Sequence, residues 1–410
     1  MTYRTAGPVT ASGIADVVAG HTARFPWYAQ LVRDSGDPAA GLARLPLMDQ
    51  AVLEQHYYSA PPQPGASTYL TSGTSGGARK RIQYSEADDD AYVDQRRALF
   101  TDFLGPLTPG AVAVADLGTG HAASSARTVF QGLGLDARDI DFTAPVAEHV
   151  GLLNAWQPEA LFTMPMILDR ILQADPPLTA RPRKVIVVGD LAPPAWRSHV
   201  AARFGIEPSD VLDIVGSIEI GAIAYFEASY GRYVFHDHIV AEVVPADLDH
   251  AAGPADCRDR GDGVLVLTSL TREFFPAVRY VTGDLVTGLA RTEVRGRTVT
   301  TFERLLGRVT GDLKHGERIS GYDLSEAMAK VFPGCPFEVT EGGTLTVRVV
   351  SDDVDEEKRR ALVAAIRRAA PDVGTMLDSG LVGDIAVVAV PADGLRSGPG
   401  KRCFFLPEQS

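Results

Sequence analysis

Cysteine is scarce in this chain. Three residues, Cys257, Cys335 and Cys403, stand far apart among 410 and are odd in number. That pattern excludes a disulfide framework and a Cys-based zinc site. Basic charge is also in short supply, with 39 Lys and Arg against 52 Asp and Glu, a formal net charge of −13. Such an acidic balance argues against general binding to nucleic acid or to anionic membranes, while leaving room for a local basic pocket for a small anion. No window approaches the roughly 18 uninterrupted apolar residues of a membrane helix. The opening MTYRTAGPVTASG lacks the basic start and apolar core of a signal peptide. The expectation is a soluble, cytoplasmic protein with reduced thiols. No repeat of fixed period and no low-complexity stretch is present. What is present is ordinary globular composition, 45% apolar and 22% charged, in a length that calls for about two or three domains.

Four short apolar runs lie between about 110 and 220: 111–117, 159–164, 184–190 and 210–216. Stretches of helical spacing separate them, such as 165–173 and 194–204. Strand alternating with helix predicts a mostly parallel sheet with helices on its faces. A charged helix is expected from Glu86 to Phe103, capped by Ser85. From about 232 to 305 the period changes to two. RYVFHDHIVAEVV, GVLVLTSL, AVRYVTGDLV and RTVTTFERL predict an antiparallel sheet or small barrel. After Gly307 the pattern reads helix 323–331, strand 337–351, helix 355–369 and strand 381–391, a small domain of about 100 residues. The fold class that follows is α/β. A large domain over 1–306 holds mostly parallel sheet and a barrel-like β subdomain at 232–305, and a small, mobile α+β domain over 307–410 hangs on a hinge.

Six stretches could carry chemistry. Thr71-Ser72-Gly73-Thr74-Ser75-Gly76-Gly77-Ala78-Arg79-Lys80-Arg81 combines glycines, hydroxyls and cations, the donors that wrap a polyphosphate. It lacks the Gly-Lys-Ser/Thr of a Walker loop, and a plain flexible loop is the bland alternative. Gly118-Thr119-Gly120-His121-Ala122-Ala123, with Asp136 beyond it, is a loose dinucleotide fingerprint; a strand-to-helix turn is the simpler reading. Asp213-Ile214-Val215-Gly216-Ser217-Ile218-Glu219 delivers one carboxylate past a strand end. It could hold Mg²⁺ or simply cap a following helix. Asp284, in Arg279-Tyr280-Val281-Thr282-Gly283-Asp284, could accept two hydrogen bonds from a ribose diol or close an Asx turn. Gly307-Arg308, followed by Asp312, Lys314 and Gly316, falls where a hinge is expected. The tail Arg396-Ser397-Gly398-Pro399-Gly400-Lys401-Arg402 offers a lysine on a Gly-rich turn. His236 and His238 share one face of a predicted strand. With no Cys close by, packed imidazoles are a simpler reading than a metal pair.

The order of these pieces resembles the adenylate-forming superfamily of acyl-CoA synthetases, adenylation domains and luciferases. Within it, LTSLTREFFPAVRYVTGDL at 267–285 and LPLMDQAVLEQHYY in the N-terminal region are similar to the phenylacetate-CoA ligase group, including its coenzyme F390 synthetase-like members. The similarity spans about residues 40 to 405. The resemblance implies that Ser72, Gly73, Thr74, Ser75, Gly76 and Arg79 hold the ATP phosphates and that Glu219 is the Mg²⁺-associated glutamate. By the same resemblance Gly216 and Ser217 flank it, Asp284 binds the ribose and Arg308 follows the hinge glycine. Gly189 and Asp190 would line the adenine side, and Lys401 would contact the carboxylate and α-phosphate during adenylation. Thr74, Glu219 and Lys401 are thus the expected catalytic residues. Val215 and Ile218 depart from the family, standing where a Tyr and a hydroxyl residue are usual.

The implied reaction uses ATP and Mg²⁺ to turn a carboxylic acid, expected to be aromatic, into an acyl-adenylate, then passes it to coenzyme A. A carrier protein or an amine is the alternative acceptor. Phe130, His121, Met164, Met166, Tyr225 and Phe226 lie in segments that could face the acid. An NAD(P)-dependent oxidoreductase and an inactive ligand-binding homologue are the rival classes.

Overall fold

The computed structural model describes residues 11–35, 41–71, 79–117, 121–141, 143–246, 257–308, 320–341, 344–370 and 384–396, with a few positions beyond. The chain forms two compact units, one of Met1–Asp102 with Ile214–Leu305, the other of Phe103–Asp213 with Leu306–Ser410.

The first unit opens on the helices Ala11–Arg24, Pro26–Asp34 and Gln50–His56. The third starts where Asp49 accepts a hydrogen bond from the Val52 amide at 2.9 Å. An antiparallel hairpin, Ser67–Leu70 with Arg81–Tyr84, follows. The helix Glu86–Leu104 then begins in a reciprocal cap. The Asp88 amide donates to Ser85 Oγ and the Ser85 amide donates to Asp88 Oδ2, both at 3.0 Å. The rest of the unit is antiparallel sheet. Its strand order is Ile239–Val244, Gly261–Ser269, Tyr280–Val294, Arg297–Phe302, Arg232–Phe235, Gly221–Glu227 and Val211–Ser217.

One detail departs from the sequence reading. RYVFHDHIVAEVV is two strands, broken at residues 236–238, where the Ile239 amide donates back to His236 O at 3.0 Å and closes a local turn. The antiparallel sheet is as expected; Arg304–Arg308 pairs Tyr280–Val294 off the main path, and the described pairings do not confirm the barrel-like detail. The core of the unit joins Tyr28, Met48, Leu53, Ile82, Tyr84, Phe275 and Phe302, all fully buried. Burial of each such side chain is worth roughly 1.5–3 kcal/mol.

Arg279 ties the N-terminal segment to this sheet. It is fully buried, with φ at +52°. Its guanidinium donates to Ala43 O at 3.0 Å and Leu45 O at 2.6 Å, and Nε lies 3.2 Å from Glu242 Oε2. The two stretches most like the phenylacetate-CoA ligase group, LPLMDQ and 267–285, therefore meet around one buried ion pair.

The second unit holds four parallel strands in the order Asp136–Ile140, Val112–Asp116, Ala160–Thr163 and Lys184–Val188. The helices His121–Gly132, Val146–Trp156, Pro165–Leu172 and Pro194–Phe204 alternate with them, as the sequence predicts. Asp136–Ile140 is a strand the apolar pattern missed, because this edge strand is polar, DARDI. Asp136, the fingerprint acid, instead accepts from Arg138 at 2.6 Å. After Leu306 come the helices Gly321–Val331 and Glu356–Ala369 and a small sheet. Its order is Ala386–Val390, Thr346–Val350, Phe337–Glu341 and Leu406–Pro407. The single strand expected at 337–351 is an antiparallel pair, Phe337–Glu341 with Thr346–Val350.

Candidate active site

In the first unit the glycine-rich loop is framed by the hairpin. The Thr71 amide donates to Lys80 O, and the Lys80 amide donates to Thr71 Oγ1, both at 3.0 Å. This neck brings the two ends of the loop together. Arg79, at the neck, is exposed. Ser72, Gly73, Thr74, Ser75 and Gly76 lie outside the described residues, as do Gly118, Gly120, Asp312, Lys314, Gly316 and Lys401.

Arg272 organises what surrounds the neck. It is 4% exposed and stacks on the Tyr84 ring, 3.8 Å from the centroid. Its Nη1 lies 2.5 Å from Asp88 Oδ2. It donates from Nη2 to Gln83 O at 3.0 Å and from Nε to Glu219 O at 2.9 Å. Tyr84 adds a bond from its hydroxyl to Ile218 O at 2.7 Å. One buried cation thus joins three segments: the end of the hairpin, the start of the long helix through the Asp88 carboxylate, and the turn that carries Glu219. No motif marked Arg272 beforehand, although it stands inside the family-like run 267–285.

Glu219 sits in the turn of a hairpin, Val211–Ser217 against Gly221–Glu227, and no helix follows it. The capping reading of this residue is therefore excluded. Ser217 Oγ accepts from the Ile220 amide at 3.2 Å and shapes the turn. Gly216 lies at a bulge in the register, with no room for a side chain: a methyl there would come within 2.9 Å of Gly221 O. Val215 and Ile218 pack against the core of the unit.

Asp284 is not in a turn after a strand but within the long strand Tyr280–Val294. The pairing with Gly261–Ser269 slips between Val264 and Val266, and Gly283 takes φ +79° there. The bulge re-aims Asp284, whose amide donates to Thr282 Oγ1 at 3.0 Å.

In the second unit Gly189 follows the strand Lys184–Val188 with φ +86°, a conformation that favours glycine. Asp190 accepts from the Leu191 amide at 2.8 Å. Its other oxygen faces Arg402 Nη1 at 3.2 Å, and Arg402 Nη2 also donates to Asp169. Asp169 takes a further bond from Trp196 Nε1 at 2.7 Å. Burial pushes the Asp169 carboxyl above its ordinary range, and the Arg402 charge opposes that shift. Gly307 has φ +118°, and Arg308 ends the strand Arg304–Arg308, exposed. At the end of the strand Val112–Asp116, His149 Nδ1 meets Asp116 Oδ2 at 2.9 Å while Nε2 meets Ala144 O at 3.1 Å. This buried pair was not read from the sequence. Burial raises the Asp116 carboxyl; for His149, burial is outweighed by the bond and charge of Asp116, which raise it. The expected acid-facing residues divide between the units. Phe130 and Met166 are fully buried in the second, while Tyr225 in the first packs on His236 with centroids 5.5 Å apart.

The chain is 43% identical over 93% of its length to the fumarate–(S)-2,3-diaminopropanoate ligase of Enterobacter agglomerans, covering 96% of that protein. It is 24% identical over 81% of its length to the phenylacetate-coenzyme A ligase of Thermus thermophilus, covering 78% of it. The chain belongs to the adenylate-forming, phenylacetate-CoA ligase-like family. The family described as the fumarate–diaminopropanoate ligase C-terminal domain matches residues 314–393. The fold is that of 2-hydroxyisobutyryl-CoA ligase in its postadenylation state, with a TM-score of 0.76 at 16% identity, over 95% of this chain and 87% of that one.

This adenylate-forming ligase therefore uses ATP. No helix among its described residues is long and apolar enough to cross a membrane. His21 and His238 are buried without acidic partners strong enough to keep them charged. Burial, then Arg272, lowers His21 to about 4; burial, with Arg96, lowers His238 to about 4. Below pH 6.5 the unfolded chain takes up protons that these native imidazoles refuse, so stability falls as pH falls from 6.5 toward 4. Each contributes a loss on the order of 3 kcal/mol at pH 4. Urea midpoints at pH 7 and pH 4.5 are expected to show a shallower acid loss for His21→Gln than for the parent. Equal losses would remove His21 from this account.

Proposed function

We propose that this ligase activates a small dicarboxylic acid of the fumarate class and joins it to the amino group of a small amino acid. The near-full-length likeness to the fumarate–diaminopropanoate ligase carries the reading. In the first step a carboxylate oxygen attacks the α-phosphorus of ATP. The bond to the β,γ-phosphates breaks, and pyrophosphate leaves. In the second step a neutral amine attacks the acyl carbon, the acyl–phosphate oxygen bond breaks, AMP leaves and the nitrogen sheds a proton.

The loop of Ser72, Gly73, Thr74, Ser75 and Gly76, with Arg79 at its neck, would bind the leaving pyrophosphate, and Asp284 the ribose. Gly189 would face the adenine, and Asp190 would serve by holding Arg402. Arg308 would move with the C-terminal domain between the steps. No group of three or more His, Cys, Asp or Glu among the described residues could cage a metal by itself. That fits Mg²⁺, which takes most of its ligands from phosphates and water, with Glu219 as the protein's carboxylate. Bound there, the ion would offset charge on the phosphates. Positioning and charge stabilisation are what the protein supplies in this chemistry.

The phenylacetate-coenzyme A ligase likeness favours a second reading, an aromatic acid passed to coenzyme A. Pyrophosphate exchange with fumarate, phenylacetate and benzoate, followed by AMP release with 2,3-diaminopropanoate or coenzyme A, separates the two. Exchange with fumarate and amine-dependent AMP release are expected. Exchange with aryl acids alone, with release driven by coenzyme A, would overturn the proposal.

A further inference from the structure

Five arginines are deeply buried among the described residues: Arg96, Arg197, Arg272, Arg279 and Arg402. Four face a carboxylate, respectively Asp213, Asp88, Glu242 and the pair Asp169 and Asp190. Arg96 is the exception. It is 3% exposed on the helix Glu86–Leu104, and its Nε and Nη1 have no hydrogen-bond partner among the described residues. Its guanidinium lies 5.3 Å from the Tyr92 ring centroid. It also crowds Gly216, where an added methyl would come within 2.6 Å of Nη2. Two neutral imidazoles lie nearby. Nε2 of His236 and Nε2 of His238 are out of solvent and unpartnered among the described residues, and both rings feel the Arg96 charge.

A guanidinium cannot shed its proton to escape burial. Left unpaired out of water it costs several kcal/mol, which an anion with matching oxygens offsets. Gly216 leaves the guanidinium room, and Gly216 lies on the same hairpin whose turn carries Glu219. Arg96 Nε and Nη1, the charged donors here, face no acid among the described residues, which leaves a place for an anion that the protein binds.

We propose that Arg96 receives the second carboxylate of the acid substrate, the one that is not adenylated. The inference rests on the fumarate-class reading above and adds the residue that would select it. A rigid trans dicarboxylate satisfies the guanidinium at one end while its other carboxylate reacts. A monocarboxylate of the same shape leaves Arg96 buried and unpaired, and is rejected for that reason.

Crotonate is the probe, since it replaces one carboxylate of fumarate by a methyl. In pyrophosphate exchange the parent enzyme is expected to favour fumarate over crotonate by about 10³-fold or more in kcat/KM. Arg96→Met should lower that ratio at least about 100-fold, and Arg96→Lys at least about 10-fold, because an ammonium cannot make the forked contact. Fumarate should also raise the melting temperature of the parent and not that of Arg96→Met, a readout that needs no turnover. If the parent uses fumarate and both variants keep its ratio and its thermal shift, Arg96 is not the selector and the proposed function stands. If the parent activates monocarboxylates alone, both fall.

Discussion

Lys401→Ala is expected to cut ATP–pyrophosphate exchange by about 10²–10³ while leaving the melting temperature almost unchanged. The step this lysine is proposed to serve builds negative charge between an attacking carboxylate and the α-phosphate, and a fixed ammonium there acts most strongly in the transition state. Removing one such preorganised group typically costs about 3–4 kcal/mol of activation energy. The residue that follows it in the chain is among the described ones. Arg402 is fixed by Asp169 and Asp190 through its guanidinium, and its amide donates to Asp190 Oδ2 at 3.3 Å. Aminolysis of a supplied acyl-adenylate, measured apart from exchange, is expected to fall far less. Near-full exchange in Lys401→Ala would refute the role.

Arg402→Met should do the reverse and strike stability. The substitution leaves two buried carboxylates, Asp169 and Asp190, facing no cation in place of their shared one, and breaking such a cluster costs roughly 3–5 kcal/mol. The pH dependence identifies the cause. With Arg402 gone, the Asp169 carboxyl, already raised by burial, rises further. A carboxyl raised in the native state binds protons the unfolded chain has released, so the penalty grows with pH and shrinks as the group is protonated. The stability gap between Arg402→Met and the parent, from urea unfolding at matched pH, is expected to be smaller at pH 5 than at pH 8. A gap that does not change with pH would assign the loss to packing alone. Because the same bonds hold the residue beside Lys401, slower exchange is expected to accompany the lost stability.

Hydrophobic period carried most of the fold. The alternation at 111–216 marks four buried runs correctly, because strands covered on both faces are continuously apolar. The cap at Ser85 was legible because a reciprocal side-chain cap is a local event, complete within four residues. The errors share one origin. The edge strand Asp136–Ile140 is polar, and the runs 232–244 and 337–351 each hold two strands with no proline between them to mark the division. Asp284 was assigned to a turn since Thr-Gly-Asp is turn chemistry, yet the partner strand holds it in a bulge.

By itself the sequence determined the α/β class, the order of the chemistry-bearing stretches and the family to which that order belongs, because periodicity and motif order are properties of neighbours along the chain. Only the tertiary structure decided which charges meet. Arg272 lies 184 residues from Asp88 and 53 from Glu219, and nothing local distinguishes it from Arg96, which faces no acid among the described residues. Whether a buried cation is satisfied depends on which remote segments fold around it, and that pairing is set by packing across the sheet rather than by spacing in the chain.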